Sequence, residues 1–96
     1  MDSQHIINYL KVFLEKNRLR YGSKRIGIFG SFARGQAGED SDIDIVVETD
    51  KPDLFLIGAM QAALSELLSR RVDLVRLRER MNEHLKKRII KEAIYV

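Results

Sequence analysis

The 96 residues include no cysteine, so neither a disulfide nor a thiolate metal site can hold this chain together or equip it. Proline occurs once, at Pro52, and there is no internal repeat or low-complexity stretch that would read as a linker. No apolar run approaches the roughly 18 residues that a membrane span needs. Met1-Asp2-Ser3 lacks the basic start of a signal peptide. The expectation is a soluble, cytoplasmic protein with no membrane partner. What is present is ordinary for a globular chain: 45% hydrophobic and 32% charged residues, which argues against disorder. The length bounds the chain to one small domain over residues 1–96.

The charge is unevenly spread. Residues 1–69 hold 8 Lys/Arg against 10 Asp/Glu, a balance of −2, and residues 70–96 hold 9 against 4, a balance of +5. Glu39, Asp40, Asp42, Asp44, Glu48, Asp50 and Asp53 share one short window with a single cation, Lys51. Carboxylates at that density repel one another unless water or a bound cation screens them. The basic last third suits a polyanion or an acidic protein surface, or simply a solvated helix face.

Hydrophobic spacing supplies the elements. Ile6, Ile7, Leu10, Phe13 and Leu14 predict an amphipathic helix capped by Asp2 or Ser3, followed by a connection over Leu19–Ser23. Arg25–Phe29 reads as a strand, Ser31–Gly35 as one helical turn and Gln36–Ser41 as a polar loop. Asp42–Val47 is a second strand, and Asp53 caps a helix over Leu54–Leu68 whose apolar stripe includes Phe55, Ala59, Ala62, Ala63 and Leu67. Val72–Leu77 is a third strand, Asn82–Lys91 a further helix, and Ala93–Val96 a short last strand. The sum is an α/β domain with a small sheet backed by helices.

Asp42 and Asp44 are two apart on a strand, so both leave the same face, about 6–7 Å apart, while Ile43, Ile45 and Val47 leave the other. In the third strand Asp73 points away from the apolar pair Val72 and Leu74. If the two strands are neighbours, three carboxylates meet. At an effective dielectric near 20, two carboxylates about 4 Å apart repel by roughly 4 kcal/mol. Hard oxygen donors without His or Cys point to Mg²⁺, or Mn²⁺, as the cation that offsets this. Upstream, Gly30 leaves room for a ligand against its backbone, and the Ser31 hydroxyl with nearby N–H groups can hold phosphate oxygens. Neither a Walker loop nor a dinucleotide fingerprint is present.

Gly30-Ser31-Phe32-Ala33-Arg34-Gly35 followed by Asp40-Ser41-Asp42-Ile43-Asp44, with Val72-Asp73-Leu74-Val75 downstream, resembles the nucleotidyltransferase fold of the DNA polymerase β superfamily. Length and the third segment make the chain most similar to the minimal nucleotidyltransferase antitoxins of HEPN toxin–antitoxin pairs. The motif-bearing core covers about residues 25–75. The resemblance implies an α+β fold with a short mixed sheet. It also implies a Mg²⁺-dependent protein adenylyltransferase, moving AMP from ATP to a tyrosine of a cognate HEPN ribonuclease toxin in a hetero-oligomer. Carried over residue by residue, Asp42, Asp44 and Asp73 are the catalytic carboxylates that hold two metal ions. Gly30, Ser31, Asp42 and Asp44 bind the nucleotide. Arg34 either steadies a phosphate or braces its loop by pairing with an acid such as Asp40.

Two other functions stay open at this point. One is a non-catalytic antitoxin that blocks the toxin by contact, using the basic last third. The other is nucleotidyl transfer to RNA or a small molecule, disfavoured because relatives of that kind carry further domains to hold the acceptor.

Overall fold

Residues 1–96 are described by a computed structural model. Helix α1 spans Ser3–Tyr21, strand β1 Ser23–Phe29, the short helix α2 Gly30–Ala33 and strand β2 Ile43–Thr49. Helix α3 spans Leu54–Leu68, strand β3 Val72–Arg76, helix α4 Glu83–Glu92 and strand β4 Ile94–Tyr95. The strands form one mixed sheet in the order β3-β2-β1-β4. β1 runs antiparallel to both β2 and β4, whereas β2 and β3 are parallel. A parallel pair cannot be joined by a tight turn, so α3 carries the chain across between them. The expected α+β class and mixed sheet are borne out.

Each long helix starts at a side-chain cap that satisfies an otherwise orphaned N–H. Asp2 accepts from the His5 N–H, Asp53 from the Phe55 N–H and Asn82 from the Leu85 N–H. β2, in the middle of the sheet, is buried on both sides: Ile43, Ile45 and Val47 face α1 and α3, while Val46 meets Phe29 of β1 and Ile89 of α4. That is why its sequence turns from alternating to continuously apolar. The larger core joins Ile6, Leu10 and Phe13 of α1 to Met60, Leu64 and Leu68 of α3 across the inner face of the sheet.

Two sequence expectations are corrected. The connection placed at Leu19–Ser23 is mostly structured: α1 continues to Tyr21, and β1 already begins at Ser23. Tyr21 is buried and stacks on Phe13 with ring centroids 5.8 Å apart, which holds the last turn. Gly22, at φ +63°, then stops the helix and donates to the Arg18 carbonyl at 2.8 Å. The second correction concerns α3. Phe55 is 90% exposed and Leu67 41% exposed, and Ala59 and Ala62 also face solvent. The buried row is Met60, Leu64 and Leu68, an i, i+4 series of bulkier side chains that fills the space over the sheet better than alanine does.

Candidate active site

Asp44 and Asp73 stand directly opposite each other in the parallel β2–β3 pairing, one residue beyond the Ile43–Val72 pair. Neighbouring strands lie about 4.8 Å apart. The side-chain period of two therefore sends both carboxyl groups to the face that α4 covers, away from the aliphatic core. On the other side of β2, Asp44 pairs in register with Phe29, the last residue of β1. Gly30 follows at once with φ +73°, and a Cβ built on it would overlap the Asp44 carboxylate oxygen Oδ2. Glycine at this position is thus dictated twice, by backbone conformation and by the close approach of Asp44. The sheet brings Gly30, Asp44 and Asp73 together, and Ser31 follows Gly30 at the start of α2.

Asp42 sits just before β2, and its Oδ1 accepts from Arg71 Nε at 3.0 Å in a solvent-exposed ion pair. The three carboxylates do not converge on one point as they lie: no cluster of three Asp, Glu or His side chains is close enough to hold an ion. They nevertheless share one electrostatic field. Half-buried Asp44 has its pKa raised above the ordinary value of 3.8, first by burial and then by the charge of Asp73, with a smaller push from Asp42. Arg88 and Arg34 pull in the opposite direction. An all-oxygen donor set whose members repel, with Asp42 held elsewhere only by an exposed pair worth little, has the chemistry of a hard-cation site.

That field has a consequence for stability. A carboxyl whose folded pKa is raised contributes stability below its unfolded value near 3.8 and loses it as pH rises through the folded value. At neutral pH and without divalent ions, Asp44→Asn should therefore raise the melting temperature, by about 2–4 °C after discounting for partial exposure. The gain should vanish below pH 4 or so, where both side chains are neutral. Thermal melts of the two proteins across this pH range in chelator check it; a lower melting point for the variant at pH 7 would contradict it.

Arg34 does not reach Asp40. Its Nη1 donates to Glu92 Oε1 at 3.0 Å and its Nε to Gln36 Oε1 at 3.1 Å. The acid of the expected bracing pair is thus 58 positions away, on α4, which had no signal in local spacing. Bracing of the loop falls instead to Arg70, which donates to the carbonyls of Gly38, Glu39 and Ser41 and lies 5.1 Å over the Phe32 ring. These bonds fix the approach to Asp42. Arg70, Arg88 and Glu92 are the neighbours of the site that sequence reasoning missed as such. Arg70 and Arg88 were visible only as part of a basic tract.

Strand-borne carboxylates beside a left-handed glycine and a serine suit phosphate and metal chemistry. The nucleotidyltransferase domain family matches residues 8–96. Protein adenylyltransferase MntA of Thermococcus cleftensis is 36% identical over 94 residues, covering 97% of this chain and 94% of that protein. A solved structure provisionally described as a minimal nucleotidyltransferase superposes with a TM-score of 0.79 at 35% identity, covering 98% of this chain and 95% of that one. A toxin–antitoxin crystallised with AMP-PNP gives a TM-score of 0.77 at 27% identity, covering 92% of this chain and 69% of the matched chain. With the family match spanning residues 8–96 and a relative 36% identical along almost the whole chain, this chain belongs to the nucleotidyltransferase domain family.

Proposed function

We propose that this chain transfers AMP from ATP to a tyrosine hydroxyl of a cognate HEPN ribonuclease toxin and thereby silences it. The observation that carries this is the register of Asp44 against Asp73 beside Gly30. Likeness to a protein adenylyltransferase along almost the whole chain adds weight, as does likeness to a toxin–antitoxin crystallised with an ATP analogue. Residues 1–96 act as one catalytic unit with the motif core at about 25–75, in the cytoplasm where ATP is at hand. No helix is long and apolar enough to cross a membrane.

The Gly30 N–H and the Ser31 hydroxyl donate to phosphate oxygens of the nucleotide, with Arg34 adding positive charge. Asp42, Asp44 and Asp73 would hold Mg²⁺, with Mn²⁺ as a substitute. Bound there, the ions would neutralise the triphosphate and polarise both the attacking and the leaving oxygen. Asp73 is exposed, so the acceptor of a second protein can reach it, and its carboxylate accepts the tyrosine proton. The tyrosine oxygen forms a bond to the α-phosphorus as the bond to the bridging oxygen breaks and pyrophosphate leaves.

Incubation with ATP labelled at the α-phosphate, Mg²⁺ and the toxin encoded alongside should label the toxin on tyrosine. EDTA should return the signal to background. Toxin neutralised without label, or label that persists in chelator, would overturn the proposal.

A further inference from the structure

Glu92 is a partly buried acid where no motif asks for one. Its side chain, in the last turn of α4, is only 15% exposed. Its Oε1 accepts from the Gly30 N–H at 3.1 Å and from Arg34 Nη1 at 3.0 Å, with Arg88 Nη2 at 3.9 Å. A carboxylate is an acceptor-only anion, so one of the chain's own oxygens already engages both the backbone donor and the guanidinium beside Asp44. The position is enforced from both sides. Ile89 anchors α4 against Phe29 and Val46. Past Glu92, β4 pairs with Gly27 and Ile28 of β1, and Val96 N–H donates to the Ile26 carbonyl at 3.0 Å. That strand lies so close that a Cβ on Gly27 would come within 2.5 Å of the Ile94 carbonyl oxygen.

We infer that Glu92 is an internal competitor for the nucleotide's phosphate, and that its release sets the affinity for ATP. This rests on the proposal that Gly30 and Arg34 contact the triphosphate. With Glu92 engaged, the Gly30 N–H is taken, Arg34 Nη1 is occupied and its charge is neutralised, so a second anion has to compete for the cradle. A triphosphate has to displace the carboxylate, which can remain beside Arg88 on its own helix, one turn away. The observed affinity is then the intrinsic one reduced by the fraction of molecules with Glu92 released. Glu92 is a determinant of substrate binding rather than a catalytic residue.

Affinities for ATP and for inorganic triphosphate, by titration calorimetry with Mg²⁺, test this on the wild type, Glu92→Gln and Glu92→Ala. Both variants should bind both probes more tightly, by roughly tenfold, the scale of one charge-assisted hydrogen bond released. Equal or weaker binding by the variants would overturn it and make Glu92 a brace that positions Arg34. Should the alanine variant fail to fold, the isosteric glutamine variant carries the test. In the wild type, the Glu92 side-chain carboxyl carbon should shift in NMR spectra at saturating ATP; an unmoved signal also overturns it. If no form of the protein binds ATP, the adenylyl-transfer proposal falls with it. If the wild type binds and Glu92 makes no difference, only the competitor role falls.

Discussion

Asp44→Ala should lower the rate of AMP transfer at least about a thousandfold, and Asp42→Ala should do nearly as much. On the proposed reading both carboxylates would serve the same cations, so removing one would leave the other without its function. The double variant should accordingly be little worse than Asp44→Ala alone, since groups acting as a unit are not additive. Loss of folding is not the expected cause: burial first, then the charges of Asp73 and Asp42, disfavour the ionised Asp44 carboxylate, so removing its charge should not destabilise the fold. Thermal melts beside single-turnover rates separate the two effects. Transfer within tenfold of wild type in Asp44→Ala would mean that the chemistry lies elsewhere.

A comparably large loss is expected from Gly30→Ala, for a different reason. The added methyl group meets the Asp44 carboxylate, and the backbone there sits at φ +73°, where an L side chain is strained. The strain costs roughly 1–2 kcal/mol of stability. The clash also pushes Asp44 off its place opposite Asp73, so activity should fall to near background. Gly35 is the internal control. It has a similar φ of +70°, but nothing lies within 4 Å of a Cβ built there. Gly35→Ala should lose about 1 kcal/mol to backbone strain alone and keep most of its activity. Equal activity losses in the two variants would show that the close approach to Asp44 is unimportant.

The candidate carboxylates were legible in part because strand geometry is local: residues two apart share a face, whatever the rest of the chain does. Ile43-Asp44 and Val72-Asp73-Leu74 carry that information themselves, and only the pairing of the two strands had to be supplied, whereas Asp42 lies just before β2 and turns to Arg71 instead. The parallel register supplies it, by setting Asp44 against Asp73. α3 was less legible for an equally physical reason. Leu54–Leu68 is apolar almost all round, so periodicity does not choose its buried face. Side-chain volume against the sheet chooses Met60, Leu64 and Leu68 and leaves Phe55 in solvent. Tyr21 is buried through a stack with Phe13 that helix spacing alone did not reveal. Arg34 and Glu92 meet only because α4 and β4 return to β1, and no local pattern encodes a contact made by such a return.

Anomalous scattering from crystals of the complex with its toxin, grown with Mn²⁺ and a non-hydrolysable ATP analogue, locates the cations directly. Peaks are predicted against the Asp42, Asp44 and Asp73 carboxylates, with the analogue's phosphates on the Gly30–Ser31 side. Clear density for the analogue with no peak at those aspartates, or with cations held by other residues, would contradict the account.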